Sequence, residues 1–199
     1  GDGIGPEVMR EALRVLDRVE DKFGHRFQCE EGLIGGAAYD EFGKHLPEKT
    51  MELCRSSDAI LFGSVGGPVS ELHEEKWKDC ERNCLLGIRK AFSFNANFRP
   101  VRVFPELAEI CPLKRELADE GVVILFIREL VGDIYFGEHK IFERDGRRVA
   151  SDVAEYTEDQ VASVAHTAFK AARLRRGKVT SVDKANVLDT SKLWRMVVH

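Results

Sequence analysis

Three arginines stand where a small dianion can be gripped: Arg89 late in a stretch of helical pattern, Arg99 in a stretch of strand pattern, and Arg128 at the end of a second one. A guanidinium takes a carboxylate through two parallel N–H bonds and keeps its charge at any working pH, so such groups suit a dicarboxylate. Arg128 is the best placed of them, because strand C-termini in α/β sheets open into the ligand crevice. Each arginine taken alone is more often a solvated or ion-paired surface residue. Lys184 follows a short apolar run in Ser181-Val182-Asp183-Lys184-Ala185-Asn186. A lysine stripped of water near a strand end can serve as a base; pairing with Asp183, or plain solvation, is the alternative. Tyr135 lies in Asp133-Ile134-Tyr135-Phe136-Gly137, whose apolar members would bury its ring as a core tyrosine with one hydrogen bond.

The elements that must position these residues follow from periodicity. Val8, Ala12, Val15, Leu16, Val19 and Phe23 recur at helical spacing, with Pro6 suited to a first turn and Gly24 to a C-terminal cap. Residues 58–62 read as a short strand that empties into Gly63-Ser64-Val65-Gly66-Gly67-Pro68, followed by a charged, irregular stretch to Asn83. Residues 85–92 read as a helix, and 95–103 and 122–130 as strands; the second is so apolar up to Ile127 that burial on both faces is expected. Thr157 and Gln160 form a capping box ahead of the apolar face Val161, Val164, Ala165, Ala168 and Ala172, which runs to a closing Gly177. Residues 178–182 suggest a further strand, and a last helix starts near Asp189 or Thr190. Strands alternating with helices predict an α/β fold.

Composition narrows the function. The net charge of -4, with 30 basic residues against 34 acidic ones, argues against nucleic acid or an anionic membrane as a partner. The five cysteines form no C-x-x-C pair and no zinc spacing, which points to free thiols in a reducing, cytoplasmic setting. No apolar run is long enough to cross a bilayer, and no signal-peptide core opens the chain. Because it opens on a glycine turn with no strand before it and closes on an apolar run, the chain is expected to be cut at both ends. Gly1-Asp2-Gly3-Ile4-Gly5 fails the dinucleotide fingerprint G-x-G-x-x-G, since Pro6 stands where the last glycine belongs. What survives is a glycine-rich turn entering a helix, either a plain structural turn or a loop that approaches an anion or cofactor.

Taken in order, GDGIGPEV, LFGSVGGP, LLGIRK, NFRPVRVFPEL, CPLK, REL followed by IYFGE, and SVDKANVLDTSKLWR span the chain. This pattern resembles the isocitrate/isopropylmalate dehydrogenase family of β-decarboxylating enzymes. The resemblance implies a two-domain isopropylmalate dehydrogenase-like α/β fold, distinct from the Rossmann fold. Residues 1–94 would begin the cofactor domain and 95–199 would form most of a substrate and dimerisation domain; the C-terminal return to the first domain would be missing. It implies that Arg89, Arg99 and Arg128 hold the substrate's carboxylates. Tyr135 would protonate the enolate carbon after loss of carbon dioxide, and Lys184 would belong to the base system that takes the C2 hydroxyl proton. That lysine would reach the neighbouring subunit's site, so a homodimer is implied. Ile4 and the segment from Gly67 through Pro68 to Glu81 would meet NAD, the latter at its nicotinamide end. A divalent metal, Mg2+ or Mn2+, is implied as well, with ligands expected beyond residue 199, so that this chain by itself is expected to be inactive.

Among the family's 2-hydroxy dicarboxylates, Leu85 and Leu86 favour the isopropyl branch of 3-isopropylmalate over the third carboxylate of isocitrate, since each buried CH2 is worth only about 0.8 kcal/mol but a carboxylate needs polar partners. The implied activity is NAD-dependent oxidative decarboxylation of 3-isopropylmalate to 4-methyl-2-oxopentanoate in leucine biosynthesis. D-malate, tartrate or isocitrate oxidation and a non-catalytic regulatory paralogue are the alternatives. Departures from the family pattern fall at Val131, Asp133, His139 and residues 151–156; the carboxylate of Asp133, two residues from Tyr135, is expected to repel an anionic substrate.

Overall fold

The computed structural model describes residues 1–199, which divide into two compact units, Gly1–Phe92 and Ser93–His199.

In the first unit α1 (Gly5–Phe23) forms where the apolar spacing places it, with Pro6 in its first turn. It stops at Gly24, whose φ of 71° is a left-handed conformation open to glycine at little cost, and whose N–H reaches Glu20 O. Two short helices escape the sequence reading: α2 (Gly36–Phe42), closed by left-handed Gly43, and α3 (Glu48–Ser56), which starts directly after Pro47 and buries Thr50, Met51 and Cys54. The core gathers Ile34, Cys80 and Cys84, with Leu46, Phe62, Val65 and Trp77 packed against them. Residues 58–62 form no strand, because no other segment of this chain pairs with them and an unpaired run makes no ladder. The charged stretch carries two 3-10 turns, Val69–Glu71 and Glu75–Trp77. The helix expected over 85–92 begins instead as a π turn, Arg82–Leu86, and continues as α4 (Gly87–Ala91).

In the second unit β1 (Ala96–Arg102) and β2 (Val123–Glu129) form an antiparallel ribbon, joined through a 3-10 turn (Pro105–Ile110) and α5 (Arg115–Asp119). Burial of the second strand on both faces is not found: Ile124 is 45% and Phe126 53% exposed. A ribbon of two strands has no flanking strands to cover it, and α6 packs along β2 on one side alone. A second ribbon, β3 (His139–Arg144) with β4 (Arg147–Asp152), turns through Asp145 and Gly146, both at positive φ as a tight hairpin turn requires. Then α6 (Glu158–Arg173) opens on the capping box: Thr157 Oγ1 accepts from Gln160 N, and Gln160 Oε1 accepts from Thr157 N at 2.9 Å. Residues 178–182 pair with no strand, and α7 (Asp189–Val198) follows, packing on α6. No helix is long and apolar enough to cross a membrane, and all five cysteines are unpaired.

The capping box seats the helix that supports β2, with Val161 and Val164 fully buried beneath it. Thr157→Ala removes one acceptor and strands the Gln160 N–H, so stability should fall by about 1 kcal/mol in thermal or urea unfolding; an unchanged midpoint would mean that the cap adds nothing.

Candidate active site

In the β1–β2 ladder Asn97 stands opposite Arg128 and Arg99 opposite Phe126. Residues paired across a ladder share a face, so Arg99, Asn97 and Arg128 all project from one side of the ribbon. Asn97 Oδ1 accepts from Arg99 Nε at 2.5 Å, which leans the guanidinium toward the position facing Arg128. The guanidinium carbon of Arg128 lies 5.1 Å from the centroid of the Tyr135 ring, within cation–π range. Tyr135 is 47% exposed. The expectation of a core tyrosine therefore fails: the ring lies against a cation at the surface. Arg99, Arg128 and Tyr135 make one cluster.

Local structure around Tyr135 is tightly specified. The turn that carries it starts at Asp133, a non-glycine residue at φ 69°, whose carbonyl accepts from Phe136 N and Gly137 N and whose N–H reaches Glu155 O at 2.9 Å. Aspartate tolerates this region better than most residues. Gly137 admits no side chain, since a Cβ there would fall 1.8 Å from Val153 O. Just upstream, the buried carboxylate of Glu129 accepts from Val131 N at 2.6 Å and Gly132 N at 3.0 Å, and Gln160 Nε2 donates to Val131 O. Asp133 is half-buried and acts on Tyr156, whose phenol is pushed up to about 12, first by burial and then by the charges of Asp133 and Glu129, against Arg128. Tyr156 in turn meets Trp194 edge to face at 5.6 Å. His139 Nδ1 lies 2.7 Å from Asp152 Oδ1 at the open end of the second ribbon.

Lys184 is exposed, so it is not stripped of water as the base reading expected, and the alternative pairing with Asp183 is not formed either, which leaves it solvated. Arg195 takes the Asp183 carboxylate through Nε and Nη2, at 3.1 and 2.7 Å. That pair, with Ala185 N at 3.0 Å, holds Asp183 below the usual carboxylate range. The Lys184 carbonyl accepts from Val187 N and Leu188 N, so a compact turn presents the lysine.

In the first unit Leu85 and Leu86 are half-buried on the π turn, one turn ahead of a half-buried Arg89 on α4. Ile4 is 64% exposed at the start of α1. The chain on both sides of it is pressed on Ser64: a Cβ on Gly1 would fall 2.3 Å from Ser64 O, and one on Gly5 3.0 Å. Gly67 lies flat on the Trp77 indole, where a Cβ would be 2.3 Å from the ring, and exposed Pro68 leads out of it. Glu81 sits beside Gly66, its Oε1 3.3 Å from where a Cβ would stand. An exposed apolar side chain, bare glycine backbone and a carboxylate acceptor are the kinds of group that hold a dinucleotide, which needs apolar seats and an acceptor for ribose hydroxyls. No group of three or more His, Cys, Asp or Glu side chains is arranged to hold a metal ion, so no step is assigned to one.

Sequence reasoning missed Asp2, Asn97, Glu129, Trp77 and Tyr156, which hold these clusters together. Of these only Asn97 left a signal, as the residue two before Arg99 on the same strand face.

A family model described as isocitrate/isopropylmalate dehydrogenase matches residues 1–199. The 3-isopropylmalate dehydrogenase of Clostridium pasteurianum is 47% identical over 204 residues, and that of Desulfotalea psychrophila 52% over 199. All of this chain is covered in both cases, but only 55% and 56% of the relatives, so the chain spans about half their length. Among solved structures, isocitrate dehydrogenase from Methylococcus capsulatus superposes with a TM-score of 0.79 at 28% identity, covering all of this chain and 53% of that one. A β-decarboxylating dehydrogenase from Thermococcus kodakarensis gives 0.66 at 31%, covering all of this chain and 51% of that one. With the match running from the glycine turn to the last helix, the chain belongs to the isocitrate/isopropylmalate dehydrogenase family.

Proposed function

We propose that this chain carries the substrate-binding and proton-transfer residues of an NAD-dependent 3-isopropylmalate dehydrogenase of leucine biosynthesis. The observation that carries the reading is the shared ribbon face of Arg99 and Arg128 with the Tyr135 ring against Arg128. Two guanidiniums on one face suit the carboxylates of a 2-hydroxy dicarboxylate, and the family resemblance assigns Arg89 of α4 to the same role. Leu85 and Leu86 receive the isopropyl branch, which selects this acid over D-malate, tartrate or isocitrate.

The chain's part in the reaction is to hold the acid and move two protons. Lys184 belongs to the base system that takes the C2 hydroxyl proton as the C2–H bond gives up its hydride. Ile4, Gly67, Pro68 and Glu81 would hold NAD, which would supply the acceptor for that hydride. With C2 now a ketone, the β-carboxylate leaves as carbon dioxide, its bonding pair passes to the enolate, and Tyr135 donates a proton to the carbon left behind. Lys184 serves the site of a second copy, which makes the working protein a cytoplasmic homodimer. Mg2+ or Mn2+, when bound, would supply Lewis-acid polarisation of the C2 oxygen.

The test is NADH formation in the complete reading frame with 3-isopropylmalate, D-malate and isocitrate. Preference for isopropylmalate supports the reading. A folded protein that binds the acid and turns over none of the three would favour the non-catalytic paralogue, for which Asp133, two residues from Tyr135, is the specific feature. Lys184→Ala should lower kcat by about 100-fold or more with an unchanged melting temperature; near-normal turnover would remove Lys184 from the base system. Leu86→Ser should cut the preference for isopropylmalate over D-malate by about tenfold, a loss on the scale of one or two methyl contacts. An unchanged preference would end the role given to the two leucines.

A further inference from the structure

We propose that Asp2 is the positioning residue of the cofactor loop, its buried carboxylate fixing the backbone at Gly66, where the chain enters the segment that meets NAD. Asp2 is 8% exposed. One carboxylate oxygen accepts from Gly36 N at 2.8 Å and from Gly66 N at 3.1 Å, and the other from Ala37 N at 2.9 Å. The Cys80 thiol stands 4.0 Å away, and the backbone N–H of Asp2 donates to Ser64 O at 2.8 Å. The charge is thus held by oriented N–H groups instead of by a cation.

Two of these bonds satisfy the open N–H groups at the start of α2, and that alone would make Asp2 a remote helix cap. The bond from Gly66 does something else. Gly66 lies at φ 120°, a conformation that side-chain-bearing residues rarely adopt, in the loop leading directly into Gly67 and Pro68. Glycine there is free to sample many backbone states, and a fixed acceptor picks one of them. Gly35 makes the room: a Cβ on it would fall 2.1 Å from Asp2 Oδ2. Ile4 follows Asp2 by two residues and Gly67 follows Gly66 directly, so the carboxylate lies within two residues of one NAD segment and holds the backbone amide that opens the other. A loop held in its binding conformation before the ligand arrives avoids an ordering cost on binding.

The inference rests on the reading that Ile4 and the segment from Gly67 to Glu81 meet NAD. Its test is the affinity for NAD of the complete protein and of Asp2→Asn, by calorimetry, beside the kinetic constants. The amide keeps the volume of the carboxylate but sets an NH2 group against at least one N–H whichever way it is turned. The dissociation constant and KM for NAD should rise about tenfold, with KM for isopropylmalate and kcat within about twofold. Equal NAD affinity in the two proteins would overturn the inference, as would a general fall in kcat without a change for NAD, the mark of a merely structural role. A wild-type protein that does not bind NAD at all would instead sink the cofactor reading beneath it. Amide hydrogen exchange on the wild-type protein tests the same point without a variant. Adding NAD should slow exchange at Gly36 and Ala37 together with Gly66, since the three share one acceptor; slowing confined to residues 66–68 would overturn it.

Discussion

Side chains alternate faces along a strand, so a shift of one residue in the pairing of β1 with β2 would carry Arg128 to the opposite face from Arg99. The whole basic cluster depends on that register. Hydrophobic burial does not enforce it strongly, since both faces of the ribbon keep large apolar side chains partly exposed. The ladder is pinned at its end instead. Glu129 closes β2 by folding its buried carboxylate over Val131 N and Gly132 N, and Gln160, itself locked in the capping box of α6, holds Val131 O. Beyond that corner the chain has one way to go, through Asp133 to Tyr135 and back over Gly137. The ring that meets Arg128 is placed by backbone geometry.

The first unit solves a similar problem with a charge. Glycine-rich segments can come close to a flat ligand because they lack side chains, and for the same reason they do not hold a shape. Here Asp2 supplies three acceptor contacts from the interior, and Trp77 supplies a flat wall on which both Gly36 and Gly67 lie with no room for a Cβ. Lys76, over the Trp77 ring and paired with Asp40 of α2, fastens the outer side. The neighbouring Cys84 is walled in so fully that burial pushes its thiol up to about 12, and it donates to His45 O while accepting from Gly35 N. It behaves as a packed polar atom.

What was legible in the sequence is what local physics decides. The long helices α1 and α6 show their apolar spacing and their caps, and α7 its start. β2 follows from an apolar run ending in Arg128 and Glu129, and β1 from a stretch in which Phe98 and Val101 stand among polar residues. Short elements fixed by distant partners were hidden: α2 is seven residues long and its first N–H groups are satisfied by a side chain 34 residues away. The hairpin of β3 and β4 carried a readable Asp145-Gly146 turn signal that periodicity alone passed over. Residues 58–62 and 178–182 look like strands and are not, because strand formation is a property of pairs. Tyr135 and Lys184 misled in opposite directions. Apolar neighbours suggested a buried ring where the turn brings it to Arg128, and a neighbouring carboxylate suggested a pair where Arg195, twelve residues on, takes that carboxylate.

The most direct measurement is the affinity of the complete protein for 3-isopropylmalate, without NAD, in the wild type and in Arg128→Gln. Loss of a charged, two-bond contact to a carboxylate should weaken binding by about 100-fold, with Arg99→Gln following in the same direction. Arg144→Gln, on the second ribbon, should leave it unchanged. Affinity undiminished in Arg128→Gln would contradict the assignment of this ribbon face to the substrate.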